Sequence, residues 1–285
     1  MKKILLPTDF SENSINAIHY ALELFQNEAC EFHILNVQKV SSFISDDLMA
    51  MHSSNILYDA LISNSKKRIE LLINNIETNY SNALHEFSSN VDYDNFVDAI
   101  NQNISANQIE IIVMGTRGDA KLDKRIFGSN TIRVIQRCNC PVVAIPNNYR
   151  YSQIKEVAFP SNYYTAFNPN DLSVLINLAE DNDYTVHAIH VKDSDHLTDF
   201  QENNRAFLDA CFTNINHSFI NLEKGDLFKS ITSHVLYHNI GLLVMMIRKH
   251  SFWERLFTTH PVESFAFDLK VPFLVLKNSG EYYVK

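Results

Sequence analysis

Ile109-Glu110-Ile111-Ile112-Val113-Met114 runs straight into Gly115-Thr116-Arg117-Gly118, and after nine further residues comes Gly128-Ser129. The opening segment reads as a short apolar strand of the kind that parallel sheets bury on both faces. From Ser129 to Arg137 the spacing is helical, and Pro141–Ile145 is another apolar strand. Strand, glycine turn, helix and strand in that order make a parallel crossover. Glycine is scarce, six residues in all, and three of them fall in this stretch. A backbone without Cβ can approach an anion closely and adopt positive φ, so that successive N–H groups converge on it. The helix start at Ser129 adds unsatisfied N–H donors, a partial positive charge and a hydroxyl. Lys121, Lys124 and Arg125 lie between the glycine clusters and could neutralise a triphosphate. The structural alternative, a turn at Gly115 and Gly118 with a cap near Gly128, weighs less in so glycine-poor a chain.

Working outward, strands are expected at Ile4–Leu6, stopped by Pro7, at Phe32–Val37 and, more weakly, at Leu84–Phe87. Helical spacing covers about Asn13–Phe25, Leu57–Tyr80 and Asn95–Ile104. The same order then returns. Lys2–Phe10 is echoed by Lys155–Tyr163, His33–Val37 by His187–Val191, Ile111–Met114 by Leu242–Met245, Arg125–Phe127 by Arg255–Phe257 and Cys140–Ile145 by Val271–Leu276. Five echoes in one order mark a tandem duplication, and the shrinking offset makes the second copy shorter in its middle. The expected architecture is α/β: two tandem five-stranded parallel open sheets with helices on both faces. Repeat two should place its strands near 156–160, 184–191, 217–222, 241–246 and 273–276. The polar segment Asn147–Ser152 is the expected junction, giving domains at 1–148 and 149–285.

Composition sets the outer bounds. Hydrophobic content of 46% with 20% charged residues is globular. A formal charge of −9 argues against a general nucleic-acid or anionic-membrane binder, which needs basic faces. No apolar stretch reaches the roughly 20 residues that span a bilayer, and Pro7-Thr8-Asp9 ends the opening apolar run too early for a secretory signal. Cys30, Cys138, Cys140 and Cys211 lack zinc or redox spacing and read as free thiols in a reducing cytoplasm.

In open parallel sheets ligands bind beyond the C-terminal strand ends, at the switch point. Pro7-Thr8-Asp9, Val37, Gly115–Gly118 and Gly128-Ser129 all fall there. The G-2x-G-9x-G-S spacing after IIVMG, the helix leading to CPVVAIP, the opening KKILLPTDFSENS and the strand ending at Val37 resemble the universal stress protein family. The resemblance covers repeat one and, more weakly, repeat two. It implies a Rossmann-like or flavodoxin-like fold, ATP as ligand with or without Mg2+, and a role in stress response or signalling. It also implies pairing of the two repeats within the chain, leaving a homodimer open. By the same resemblance Pro7, Thr8 and Asp9 would lie by the adenosine and the backbone of Val37 by adenine. Gly115, Gly118, Gly128 and Ser129 would hold the phosphates, with Met114 and Arg117 in the same loop. Asn130 would follow them, where many members carry a small or β-branched residue. Asp9 has a second reading, as a cap for the helix that follows it.

Repeat two departs from this pattern: Gly115 aligns with Met246, Gly118 with Lys249, Gly128-Ser129 with Thr258-Thr259 and Asp9 with Asn162. One nucleotide per chain is therefore expected. His187 and His190 are three apart on a strand and cannot share a metal. His234 and His238 are four apart on a helix, a candidate ligand pair. Without an accompanying Glu/Cys set they read as core or surface histidines, and no metal is assigned. His250–Trp253 occupies the place of the glycine loop, where packing is the expected role of Phe252 and Trp253. No catalytic residue is assigned, since Walker, GxSxG and HExxH motifs are missing from the sequence. Slow ATP hydrolysis is the most that is expected. The rival readings are a ligand-free interaction scaffold and an ATP-using nucleotidyl-transfer enzyme.

Overall fold

A computed structural model describes residues 1–38, 54–116, 127–164, 166–192, 196–247 and 271–279, with the backbone alone at 54–62. The first repeat forms β1 (Lys2–Pro7), α1 (Glu12–Leu24), β2 (Cys30–Val37), α2 (Ser54–Asn79), β3 (His85–Asp92), α3 (Phe96–Asn107), β4 (Ile111–Gly115), α4 (Ser129–Arg137) and β5 (Val142–Ile145). The second forms β6 (Glu156–Pro160), α5 (Pro169–Asn182), β7 (Thr185–Val191), α6 (Asp199–Cys211), β8 (Asn216–Leu222), α7 (Leu227–Tyr237), β9 (Leu242–Ile247) and β10 (Phe273–Lys277). Among the described residues strand and helix alternate from β1 to β5 and from β6 to β9, as the sequence pattern requires. Part of the shortening in the middle of repeat two lies in its helix: α2 has 26 residues and α6 has 13.

The chain divides into two compact units, Met1–Ala120 with Gly128–Cys140, and Lys121–Phe127 with Pro141–Lys285. In the first, the strand order is β3-β2-β1-β4, all parallel. In the second it is β5-β10-β9-β6-β7-β8. There β6 to β10 are parallel, and β5 joins β10 antiparallel with Phe273 opposite Ala144 and Val275 opposite Val142. The last strand of repeat one thus groups with the second unit, where it covers the β10 edge that would otherwise be unpaired.

The two copies share a register. Ile4 pairs with Ile111 in the first unit and Val157 with Leu242 in the second. The N-caps of α3 and α7 are Asn95 and Asp226. In the core Ile4, Leu5 and Leu6 of β1 are fully buried, as are Val157 and Ala158 of β6. Each buried Ile or Leu side chain contributes about 1.5–3 kcal/mol of transfer free energy. On α1 the buried stripe is Ala17, Ile18, Ala21 and Leu22, one face of a helix whose start is capped by Ser11. Edge strand β3 is mixed, with Ser88, Ser89 and Asn90 at its centre, and it pairs with β2 along its whole length. The four cysteines are free thiols, and burial pushes Cys30 up to about 12, so it is unreactive. No helix among the described residues is long and apolar enough to cross a membrane.

Candidate functional site

In the first unit the chain leaves β1 outward to β2 and β3, then returns to β4 on the other side of β1. That makes the C-terminal ends of β1 and β4 the switch point. Pro7 and Thr8 are buried there and Asp9 is exposed. β1 reaches Pro7, one residue beyond the stop expected from its ring, because the next ladder bond is made by Thr8 N–H to Leu35 O at 2.8 Å. Thr8 Oγ1 is 2.9 Å from Ser14 Oγ and accepts the Phe10 N–H at 2.9 Å. The Phe10 backbone sits in the left-handed region at φ 61, with the Arg68 guanidinium over its ring. This turn carries the chain off the sheet and into α1.

Asp9 is not the cap of that helix. The N-cap is Ser11, whose Oγ accepts the Ser14 N–H, while Asp9 Oδ1 accepts the Ser11 N–H at 3.0 Å. Burial alone would raise the Asp9 carboxyl. Hydrogen bonds from Ser11 and Ser14 outweigh it and hold the group below 3.8, so the exposed oxygen is anionic.

Val37 ends β2, half-buried opposite Asp92. The residue before it was not singled out from sequence. Asn36 is buried and donates from Nδ2 to Thr8 O at 2.7 Å, while its Oδ1 accepts from Gln38. It locks the β1 loop to the end of β2. The available signal was a polar residue inside the apolar run HILNV.

Met114, Gly115 and Thr116 are buried at the end of β4. Gly128 N–H donates to Thr116 O at 2.6 Å, which brings the start of α4 to that strand end. Thr131 Oγ1 reinforces the join at Gly115 O and Thr116 O, 3.1 and 3.2 Å away. Gly128 is itself the N-cap, at φ −65 and ψ 160, and no described glycine has positive φ. Any residue could adopt this conformation, so what glycine supplies at 128 is bare backbone. Six helices have a described N-cap; the caps of α1, α3, α5, α6 and α7 bond an N–H through their side chain, and Gly128 does not. The first N–H groups of α4, at the exposed Ser129 and Asn130, are left for another acceptor. Arg117, Gly118, Lys121, Lys124 and Arg125 lie outside the described residues, as do His250–Trp253 and Thr258-Thr259. The structure therefore brings together Pro7–Asp9, Met114-Gly115 and Gly128–Asn130, with Val37 two strands from β4 across β1.

Comparison with known proteins gives a consistent result. The Universal stress protein family matches residues 1–146. A universal stress protein of Methanocaldococcus jannaschii is 26% identical over 145 residues, covering 50% of this chain and 81% of its own. Among solved structures, a universal stress protein from Archaeoglobus fulgidus is similar over 96% of this chain and 98% of its own, at 20% identity and a TM-score of 0.72. A Pseudomonas aeruginosa protein of unknown function is similar over 98% and 93%, at 14% identity and a TM-score of 0.56. These likenesses in structure extend the fold to the second repeat.

Proposed function

The chain belongs to the universal stress protein family, and from that premise we propose that its first unit binds ATP, one nucleotide per chain, as a cytoplasmic stress-response or signalling protein. The observation that carries this reading is the uncapped start of α4, tied by Gly128 N–H to the end of β4 at the switch point. Helix N–H groups and the helix dipole favour phosphate oxygens there. In this reading Pro7–Asp9 and the Val37 backbone serve the adenosine and Met114, Gly115, Gly128, Ser129 and Asn130 the phosphates, with Arg117 and Gly118, outside the described residues, assigned to the phosphates by the family resemblance alone. Asp9, held anionic by hydrogen bonds, is a poor general base, so binding without rapid turnover is expected. Nucleotide would then act by shifting conformation or assembly.

Gly128→Val tests this directly. A side chain at the N-cap blocks approach to the donors but fits φ −65. Calorimetric titration with Mg-ATP should show affinity reduced by about 100-fold or more, with an unchanged circular dichroism spectrum. Wild-type affinity in the variant would refute the site, and no ATP binding by the parent chain would favour the scaffold reading.

A further inference from the structure

The second unit brings together three histidines from two elements. His187 lies on β7, His234 in the last turn of α7, and His238 is the C-cap of that helix. One ligating atom from each lies within 4.8 Å of the others. His187 Nδ1 is 2.9 Å from His234 Nε2, and His187 Nε2 is 2.8 Å from the Glu156 carboxylate on β6. The His234 and His238 rings have centroids 4.2 Å apart. A carboxylate only accepts, so His187 Nε2 carries the hydrogen and Nδ1 presents a lone pair. The hydrogen in the 2.9 Å contact then belongs to His234 Nε2. A carboxylate behind a histidine in this way fixes tautomer and ring orientation for a metal on the other nitrogen.

We propose that His187, His234 and His238 bind a divalent transition-metal ion of the zinc class, with Glu156 as a positioning residue and a fourth coordination place open to solvent. Neutral imidazoles suit zinc, copper and nickel, and three of them with one open place is a known zinc arrangement. Tetrahedral zinc with Zn–N of about 2.0–2.1 Å sets ligand nitrogens about 3.3 Å apart, so the 2.9 Å contact opens by a few tenths of an ångström. The His234 hydrogen moves from Nε2 to Nδ1 of the same ring, which frees the ligating lone pair and keeps the ring neutral. The ion would also face the C-terminal end of α7, where helix carbonyls favour a cation.

The first unit supplies an internal control. By the shared register the counterparts of the three histidines are His33, Asn103 and Asn107. They line a cavity of about 460 Å³ together with Glu31 and Ser88. There His33 Nδ1 is 2.7 Å from Ser88 Oγ, and Asn107 Nδ2 donates to Asn103 Oδ1. The same place in the fold thus holds one imidazole and two amides in the first copy and three imidazoles in the second. Within its own unit the site lies by the first residue of β6 and the C-terminal end of α7.

The test uses the full chain, tag-free and stripped with chelator. Zinc alone is titrated calorimetrically, and Co2+ is used for its visible spectrum. One tight equivalent and a four-coordinate Co2+ spectrum are expected. His234→Asn with His238→Asn, which installs the first unit's residues, should weaken zinc by about 100-fold or more and abolish the spectrum. Glu156→Gln should weaken it by about 10–100-fold. Zinc binding that is as tight in the double variant as in the parent overturns the proposal, as does a parent that takes up no equivalent. If the double variant does not fold by circular dichroism, His238→Asn alone carries the same comparison.

Discussion

The loops after β1 and β6 share a backbone and differ in chemistry. Phe10 and Tyr163 both sit at positive φ, 61 and 57, with their N–H groups on Thr8 Oγ1 and Ser161 Oγ. Asp9 Oδ1 and Asn162 Oδ1 take the next N–H, from Ser11 and Tyr164. Asn36 and His190 each donate to the carbonyl that begins the loop, Thr8 O and Ser161 O. What differs is the cover. In the second unit the Tyr163 ring is buried and stacked on His190, and Gln201 and Asn204 of α6 hold the carbonyls of Asn162 and Tyr163. Beyond β10, Asn278 and Ser279 bond to Ala166 and Asp171. The loop after β6 is tied down by α6 of its own unit, whereas the first unit presents an anionic Asp9 beside an uncapped helix. A duplicated frame survives wherever an acceptor stands at the right place, and the site does not need to survive with it.

Three substitutions would break or sharpen that contrast. The largest effect is expected for Phe159→Ala, which empties a buried ring position on β6. It should cost about 3–5 kcal/mol in the second unit. ATP affinity measured at low temperature should stay at the parent value; a parallel loss of nucleotide binding would mean that the second unit is part of the site. Next comes Asn36→Ala, which strands the Thr8 carbonyl and should cost about 1–3 kcal/mol in urea unfolding. It should also weaken ATP, and an unchanged affinity would remove the β1 loop from the site.

The smallest effect is that of Asp9→Asn, which gives the first loop the residue of the second. Both side chains can accept the Ser11 N–H, so stability at neutral pH should barely move. Because the Asp9 carboxyl is lowered in the folded state, its stabilisation is present above 3.8 and lost as pH falls through the folded value. The parent should therefore lose slightly more stability than the variant on acidification below 3.8, read as the difference in thermal midpoints. An identical pH profile would show that the hydrogen bonds from Ser11 and Ser14 carry no net electrostatic weight.

The elements were largely legible because buried parallel strands are written as unbroken apolar runs, and IIVMG, VVAI and LLVMMI are found as β4, β5 and β9. β3 was read short, at Leu84–Phe87. As an edge strand with half-exposed polar residues, it is held by its ladder to β2 more than by an apolar pattern. The cap of α1 was legible only as a choice between residues: Asp and Ser both cap helices, and the positive φ at Phe10 decides for Ser11. Asn36 and Thr131 were missed because each acts on a carbonyl distant in sequence, 28 and 16 residues away.

The sequence by itself determined the duplication, the α/β alternation, the family and the loss of the glycines from the second copy, since all of these are patterns of residue type along one line. Only the tertiary structure decided that Gly128 leaves its helix uncapped and that His187 meets His234 and His238. Strand pairing and helix packing bring together residues far apart in the chain, and spacing along the chain does not encode which faces they share.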